Sequence, residues 1–120
     1  PALDGLPIFE IVEKDGKFYA KVPTVLPKKV TMPMVKWDLN DHWKFVIIGG
    51  GAAGLSAAET LRQSEYGGEI IVISKEGVVP YDRTLLTKNT MGIDVNKIVL
   101  RSNEFLNTYG IDYHLNSQVK

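Results

Sequence analysis

Cysteine is absent from the 120-residue sequence, and this absence excludes several kinds of chemistry at once. Without cysteine the chain can form no disulfide, no thiolate zinc site and no cysteine-ligated iron–sulfur cluster, and it has no thiol nucleophile. Long apolar runs are also missing, since none approaches the roughly 20 residues that a bilayer-spanning helix needs. We therefore expect no transmembrane segment in this sequence.

An excess of charge of one sign is the third absence. Lys plus Arg and Asp plus Glu number 14 each, so the formal net charge is zero. Proteins that bind nucleic acid by bulk charge are strongly basic, and the composition therefore predicts no nucleic-acid partner. The first residue is Pro1, no secretory signal follows it, and both ends look cut. We expect a piece of a longer protein.

The first 43 residues predict a hairpin followed by a linker. Apolar and polar residues roughly alternate on both sides of Asp15-Gly16, a pair that favours a tight hairpin turn, so residues 8 to 22 should form two antiparallel strands. An isolated hairpin is marginal in water and should pack on something larger. The segment Pro23–Asp41 carries three prolines (Pro23, Pro27 and Pro33) and has no clear period, which is typical of a linker. The predicted boundaries are 1–23 for the hairpin and 24–43 for the linker.

From residue 44 onward the pattern alternates between strand and helix, which predicts an α/β fold with a parallel sheet. Two short, continuously apolar segments predict buried strands, as parallel sheets require. The predicted elements are strand Phe45–Ile48, helix Ala52–Gln63, strand Ile70–Ile73, helix Thr84–Thr90, strand Lys97–Leu100, helix Ser102–Tyr109 ending at Gly110, and strand Ile111–Leu115.

A glycine fingerprint, G-x-G-x-x-G, stands between the first predicted strand of this region and its helix. Its glycines are Gly49, Gly51 and Gly54, with Ala53 inside the same turn. In this context the first glycine permits the tight turn, the second lets a pyrophosphate approach the backbone, and the third allows the helix to lie close to the strand. The free N–H groups of the helix then face the phosphates. The fingerprint predicts a dinucleotide site, and the absence of G-x-x-x-x-G-K disfavours a P-loop nucleotidase.

The same fold places an acid after the second strand, where it binds a ribose hydroxyl. Glu76 lies 22 residues after Gly54 and fits this role. The alternative is that Glu76 is a solvated acid in a turn. Glu59, on the predicted helix, could serve the sheet side of the cofactor, but we interpret it as a solvent-facing acid.

Two segments are more specific than the fingerprint. The segment Gly49–Leu61 resembles the FAD-binding start of flavoprotein reductases with two dinucleotide domains. The segment Pro80–Lys88 resembles the P-Y-D-R-P-x-L-S-K block of one branch, which contains apoptosis-inducing-factor-like proteins and the ferredoxin or rubredoxin reductases of oxygenase systems. The resemblance implies that residues 44–120 are the N-terminal part of a Rossmann-like FAD-binding domain. Disulfide reductases of this fold carry redox cysteines after the second strand, and their absence here favours flavin-only electron transfer.

The resemblance also assigns roles to charged residues. It implies that Arg83 contacts the FAD pyrophosphate and that Lys88 approaches the isoalloxazine. Thr84 and Thr87 replace the usual proline and serine of the block, which are mild departures. Lys75 stands where several members have the ribose-binding acid, so either Lys75 or Glu76 is the neighbour of the ribose.

The N-terminal piece carries a second resemblance. Pro1–Pro7 and the hairpin are similar to the end of a Rieske domain, which precedes the FAD domain in one subgroup of the branch. This implies a [2Fe–2S] cluster held by residues upstream of Pro1. The resemblance is compatible with a mitochondrial or a cytoplasmic location.

Together these features predict the FAD-binding portion of an NAD(P)H-dependent flavoprotein oxidoreductase that passes electrons to an iron–sulfur or similar acceptor. Its partners would be dinucleotides and an iron–sulfur redox protein. We assign no catalytic side chain and no metal ligand, and the 120 residues alone should lack reductase activity. One alternative is a non-catalytic subunit of a larger assembly derived from such a flavoprotein. The other is an NAD-dependent Rossmann dehydrogenase, against which the Pro80–Lys88 block argues.

Overall fold

A computed structural model describes residues 3–26, 30–88 and 92–120. The chain divides into two compact units, Pro1–Met32 and Pro33–Lys120. Among the described residues, no helix is long and apolar enough to cross a bilayer.

The first unit contains the predicted hairpin. Strand β1 (Glu10–Lys14) pairs antiparallel with β2 (Lys17–Lys21), and Lys14 stands opposite Lys17. Both turn residues have left-handed backbone angles, with φ of 53° at Asp15 and 70° at Gly16, as a two-residue hairpin turn requires. Every residue of both strands is exposed.

The second unit is an α/β arrangement around a parallel sheet, as the sequence predicts. Its elements in chain order are β3 (Lys44–Ile48), α1 (Ala52–Gln63), β4 (Glu69–Ile73), α2 (Thr84–Lys88), a 3-10 helix (Val95–Lys97), α3 (Asn103–Thr108) and β5 (Ile111–His114). The sheet order is β3-β4-β5, and both pairings are parallel. The carboxyl ends of the three strands therefore meet at one edge of the sheet.

The core of the second unit lies between the sheet and its helices. Ile70 and Val72 of the central strand β4 are fully buried, and so are Leu55 and Ala58 of α1. Leu106 of α3 is also buried. At about 25 cal/mol per Å² of apolar surface, burying each of the larger side chains contributes roughly 1.5–3 kcal/mol. This packing holds α1 against the sheet and positions its first turn at the carboxyl edge.

Strand β3 departs from the prediction of a buried strand. Its apolar pattern is continuous, yet Phe45 is 48 % and Ile48 70 % exposed. The reason is its position, because β3 lies at one edge of the described sheet and only β4 pairs with it. Ile47 is the partly buried residue of the strand and lies near Gly54 of α1.

The later elements match the sequence only in part. Instead of the predicted strand Lys97–Leu100, the structure has the 3-10 helix followed by a single bridge between Tyr81 and Val99. Helix α2 ends at Lys88, and residues 89–90 of the predicted helix lie outside the described part. Ser102 caps α3 as predicted, since its side chain accepts from the Phe105 N–H at 3.2 Å. Gly110 follows α3 with a φ of 58°.

Residues 33–43 of the predicted linker belong to the second unit and are bonded to the rest of it. The Val35 N–H donates to the Arg62 carbonyl at 3.0 Å, and the Asp38 N–H donates to the Gly67 carbonyl at 2.8 Å. Trp37 lies against Gly110, where an added Cβ would come within 2.6 Å of the Trp37 Cβ. Residues 27–29 of the linker lie outside the described part.

Candidate functional site

The glycine loop lies between β3 and α1 at the carboxyl edge of the sheet. Gly49 has a φ of 115°, which an L side chain rarely adopts, and its N–H donates to the Ile73 carbonyl at the end of β4 at 2.9 Å. A Cβ on Gly54 would lie 2.0 Å from the Gly49 carbonyl oxygen. The close approach of helix to strand therefore requires glycine at position 54.

The middle two glycines of the loop differ from each other. A Cβ on Gly50 would lie 2.4 Å from the Cβ of Ser74, so packing within the chain demands glycine there. A Cβ on Gly51 would meet no atom within 4 Å. Gly51 has a φ of −81°, which any residue can adopt. The chain itself therefore does not require glycine at position 51, whereas a ligand that approaches the backbone would.

The amino end of α1 is open to an anion. Gly51 is the N-cap and offers no side chain to the first N–H groups, and the first turn has no acidic residue. Free N–H groups and the positive end of the helix dipole favour a phosphate at such a position.

A small cavity brings this loop together with residues from the chain after β4. Glu76 and Arg83, both predicted from the sequence, reach the loop here. The lining residues are Gly50, Gly51, Glu76, Val78, Pro80, Tyr81 and Arg83. Tyr81 was not predicted as a site residue, although it stands within the Pro80–Lys88 block.

Glu76 and Arg83 form an ion pair at this cavity. Arg83 Nη2 contacts Glu76 Oε1, and the side chains are 65 % and 42 % exposed for Arg83 and Glu76 respectively. The Glu76 N–H donates to Ser74 Oγ at 3.2 Å, which ties the acidic turn to the residue that packs on Gly50. Hydrogen bonding to Glu76 raises the pKa of the Tyr81 phenol. The structure therefore gathers an acid, a cation and an aromatic ring beside the glycine loop.

The remaining predicted site residues lie elsewhere. Ala53 is exposed in the first turn of α1, Lys75 is exposed in the turn after β4, and Lys88 is exposed at the end of α2. None of these three is among the described residues that line the cavity. Asp82, next to Arg83, accepts from the Thr84 N–H at 2.9 Å and from the Thr84 hydroxyl at 2.7 Å, and the hydroxyl lowers the pKa of Asp82.

The sequence interpretation of Glu59 is wrong. Glu59 is 4 % exposed and accepts two bonds from Arg101, at 2.8 Å from Nε and 3.0 Å from Nη2. The helix turns this position toward the sheet, and Arg101 compensates the buried charge. The Arg101 guanidinium also stacks over the Phe105 ring at 4.5 Å.

A second buried charge lies near the amino ends of β4 and β5, and no local pattern predicted it. Arg62, near the end of α1, is fully buried. It donates to four main-chain carbonyls, those of Tyr66 (2.7 Å), Gly68 (2.7 Å), Tyr109 (2.7 Å) and Gly110 (2.9 Å). Burial lowers the pKa of Arg62. This arginine joins the turn before β4 to the turn before β5, although the two turns are about 40 residues apart in the sequence.

The parallel sheet, the glycine loop and the open helix terminus together define a dinucleotide-binding unit of the Rossmann type. Residues 43–120 match the family described as pyridine nucleotide-disulphide oxidoreductase. The match extends over more than half of the sequence, and the chain belongs to this family.

Individual relatives agree with this assignment. The chain is 30 % identical to apoptosis-inducing factor 3 of Homo sapiens over 128 residues, an alignment that covers 99 % of the chain and 21 % of that protein. It is 51 % identical over 45 residues to the 3-phenylpropionate/cinnamic acid dioxygenase ferredoxin–NAD(+) reductase component of Photorhabdus laumondii, covering 38 % of the chain and 11 % of the relative. The chain thus spans about a fifth or less of the curated relatives it matches.

Solved structures are also similar in fold, and one of them is the NADH:rubredoxin oxidoreductase from Clostridium acetobutylicum, with a TM-score of 0.55 and 26 % sequence identity. The superposition covers 61 % of this chain and 19 % of that one.

Proposed function

We propose that this chain is the FAD-binding portion of an NAD(P)H-dependent flavoprotein oxidoreductase that passes electrons to an iron–sulfur acceptor. The observation that carries the proposal is the glycine loop, where Gly51 faces open space at the uncapped end of α1 while Glu76 and Arg83 line the adjacent cavity. Two relatives support the electron-transfer part, since one is named a ferredoxin–NAD(+) reductase component and the other an NADH:rubredoxin oxidoreductase.

The residues present fit an FAD pyrophosphate. The first N–H groups of α1 would donate to it, and Arg83 would pair with it as a charge-assisted, forked donor. Glu76 would accept from a ribose hydroxyl, with Lys75 beside it in the same turn. Lys88 would lie toward the flavin ring and favour negative charge there. When bound, the flavin supplies the redox chemistry, accepting two electrons from NAD(P)H and releasing them singly.

The N-terminal unit is included in the proposal. The alignment with apoptosis-inducing factor 3 covers 99 % of the chain and so extends over the hairpin unit as well. We propose that this unit is the end of a Rieske-type domain whose [2Fe–2S] ligands precede Pro1. A mitochondrial or bacterial cytoplasmic location goes with this proposal.

The test is FAD binding, measured by the quenching of flavin fluorescence on titration with the chain. The Gly51→Ala variant is compared with wild type. This substitution should affect the ligand and not the fold, because a Cβ at position 51 meets no atom of the chain. We expect the variant to fold like wild type and to lose at least about tenfold in FAD affinity, or 1.4 kcal/mol. Equal FAD affinity of the two chains, or no FAD binding by wild type, would contradict the proposal.

A further inference from the structure

Tyr81 contacts both charged side chains of the candidate site through two different parts of its own side chain. Tyr81 and Glu76 line the same cavity, and hydrogen bonding to Glu76 raises the pKa of the Tyr81 phenol. Its ring lies beneath the Arg83 guanidinium, whose central carbon is 5.6 Å from the ring centroid, within the usual range of a cation–π contact.

The backbone on both sides of Tyr81 is fixed. Tyr81 forms an antiparallel bridge with Val99. The Asp82 N–H donates to the Ile98 carbonyl at 2.9 Å, and the Leu100 N–H donates to the Pro80 carbonyl at 2.8 Å. Glu76 and Arg83, in contrast, are long and substantially exposed side chains with many rotamers. Tyr81 is therefore the anchored member of the group, and the two charged side chains are the ones that need orientation.

We propose that Tyr81 is a positioning residue of the dinucleotide site: its hydroxyl orients Glu76 for a ribose, and its ring orients Arg83 for the phosphates. This inference rests on the proposed function. A carboxylate has about four acceptor positions on its two oxygens, so Glu76 can bond Tyr81, Arg83 and a ribose hydroxyl together. Holding both charged groups before the ligand arrives reduces the entropy lost on binding.

The two roles can be separated by mutation and by ligand. Tyr81→Phe removes the hydroxyl and keeps the ring, whereas Tyr81→Leu removes both. The two probes are ADP, which has a ribose and a pyrophosphate, and inorganic pyrophosphate, which has no ribose. Binding of each probe to the 120-residue chain is measured by isothermal titration calorimetry.

We expect Tyr81→Phe to weaken ADP about fivefold, the usual effect of one hydrogen bond, and to leave pyrophosphate binding within about twofold of wild type. Tyr81→Leu should weaken both probes, by at least about threefold for pyrophosphate, because Arg83 loses its ring. A purely structural role of Tyr81 would weaken both probes equally in the Phe variant. Equal losses, or no loss of ADP affinity in Tyr81→Phe, would overturn the inference.

A double-mutant cycle with Glu76→Gln completes the test. If the hydroxyl acts through Glu76, the ADP loss caused by Tyr81→Phe should disappear in the Glu76→Gln background. Persistence of the full loss there would overturn the inference while leaving the proposed function intact. Failure of wild type to bind either probe would instead remove the proposed function, and the inference with it. This cycle does not depend on Tyr81→Leu, which may be omitted if it does not fold.

Discussion

Arg62 lies at the amino ends of the strands of the three-stranded sheet, and Arg83 lies at their carboxyl ends. We call these two ends of the sheet the Arg62 edge and the Arg83 edge, and their comparison separates residues that support the fold from residues of the candidate site. Arg62 is fully buried and binds four main-chain carbonyls, each within 2.9 Å. Arg83 is 65 % exposed and pairs with one carboxylate at the mouth of a cavity. All the bonding partners of Arg62 belong to the backbone, which cannot move away without unfolding. The partner of Arg83 is an exposed side chain, and a phosphate can compete for the guanidinium.

The surroundings of the two arginines show the same contrast. At the Arg62 edge, the Arg62 guanidinium joins the turn at Gly68 to the turn at Gly110 through a buried and a part-buried hydrogen bond. At the Arg83 edge, Gly51 faces open space and the amino end of α1 has no side-chain cap. In α/β sheets, ligands bind at the carboxyl ends of the strands, and this is the edge at which the chain leaves donors and charges accessible.

The largest expected effect comes from Arg62→Gln. Removing the guanidinium leaves buried carbonyls unsatisfied, and each such group costs about 1–3 kcal/mol. We expect the free energy of unfolding to fall by at least about 3 kcal/mol, measured by urea denaturation with tryptophan fluorescence as the probe. Arg83→Gln is the matched control, since an exposed ion pair contributes only about 0–1 kcal/mol. Similar losses of unfolding free energy in the two variants would contradict the conclusion that Arg62 supports the fold and Arg83 does not.

The second prediction compares Gly54 and Gly51. In Gly54→Ala the added Cβ would lie 2.0 Å from a backbone oxygen, so helix and strand must separate. We expect a loss of about 1–3 kcal/mol of stability, the usual cost of overpacking. Gly51→Ala should cost about 1 kcal/mol, the usual difference between a favourable N-cap residue and alanine, because its Cβ meets no atom of the chain. Thermal unfolding of both variants, followed by circular dichroism, would check this order. A larger loss of stability in Gly51→Ala than in Gly54→Ala would contradict the assignment of Gly54 to packing and of Gly51 to ligand binding.

The third prediction concerns ligand affinity at the Arg83 edge. Arg83→Gln should lower pyrophosphate affinity about tenfold, because a charge-assisted hydrogen bond contributes about 1.5–3 kcal/mol. Its melting temperature should stay close to that of wild type. Lys88→Gln is the control, because Lys88 lies at the end of α2, does not line the cavity, and pyrophosphate has no flavin ring for it to approach. Calorimetric titration measures both variants, and an equal loss from Lys88→Gln would show that only bulk charge matters.

The smallest expected effect belongs to Tyr113 on β5. Its hydroxyl is buried and finds no hydrogen-bond partner among the residues that the structure describes. Tyr113→Phe should therefore leave stability unchanged or raise it by about 1 kcal/mol. Urea denaturation of both chains at neutral pH measures this difference, and a loss above about 1 kcal/mol would reveal a bond that the hydroxyl makes.

Tyr113 also predicts a pH dependence of the wild-type chain. Burial, and then the charge of Glu59, raise the pKa of the Tyr113 phenol in the folded state. The folded chain therefore retains a proton that the unfolded chain loses above its ordinary pKa of about 10. Stability that is fully present below about pH 10 should decline as the pH rises further, and this part of the decline should be absent in Tyr113→Phe.

The regular elements of the second unit could be predicted from local patterns. The helix Ala52–Gln63 has the predicted bounds, and the strands at β3 and β4 differ by one residue at their starts. The hairpin turn at Asp15-Gly16 is confirmed by its left-handed angles. These features are set by residues that lie close together in the sequence, and a local sequence pattern therefore predicts them. The predicted strand Lys97–Leu100 failed because its apolar residues serve packing and a single bridge, and only the fold decides between these uses.

The sequence by itself determined the parallel α/β fold, the glycine loop and the family, because glycine, apolar periodicity and turn residues act locally. The tertiary structure alone decided which charged residues support the fold and which remain available to a ligand. The resemblance of the Pro80–Lys88 block assigned Arg83 to the cofactor, but no local pattern in the sequence showed that the charged residues Arg62 and Glu59 are buried. The roles of the three residues differ because packing removes Arg62 and Glu59 from water, where each must be compensated within the chain. Arg83 remains at the surface beside Gly51, where a phosphate could bind.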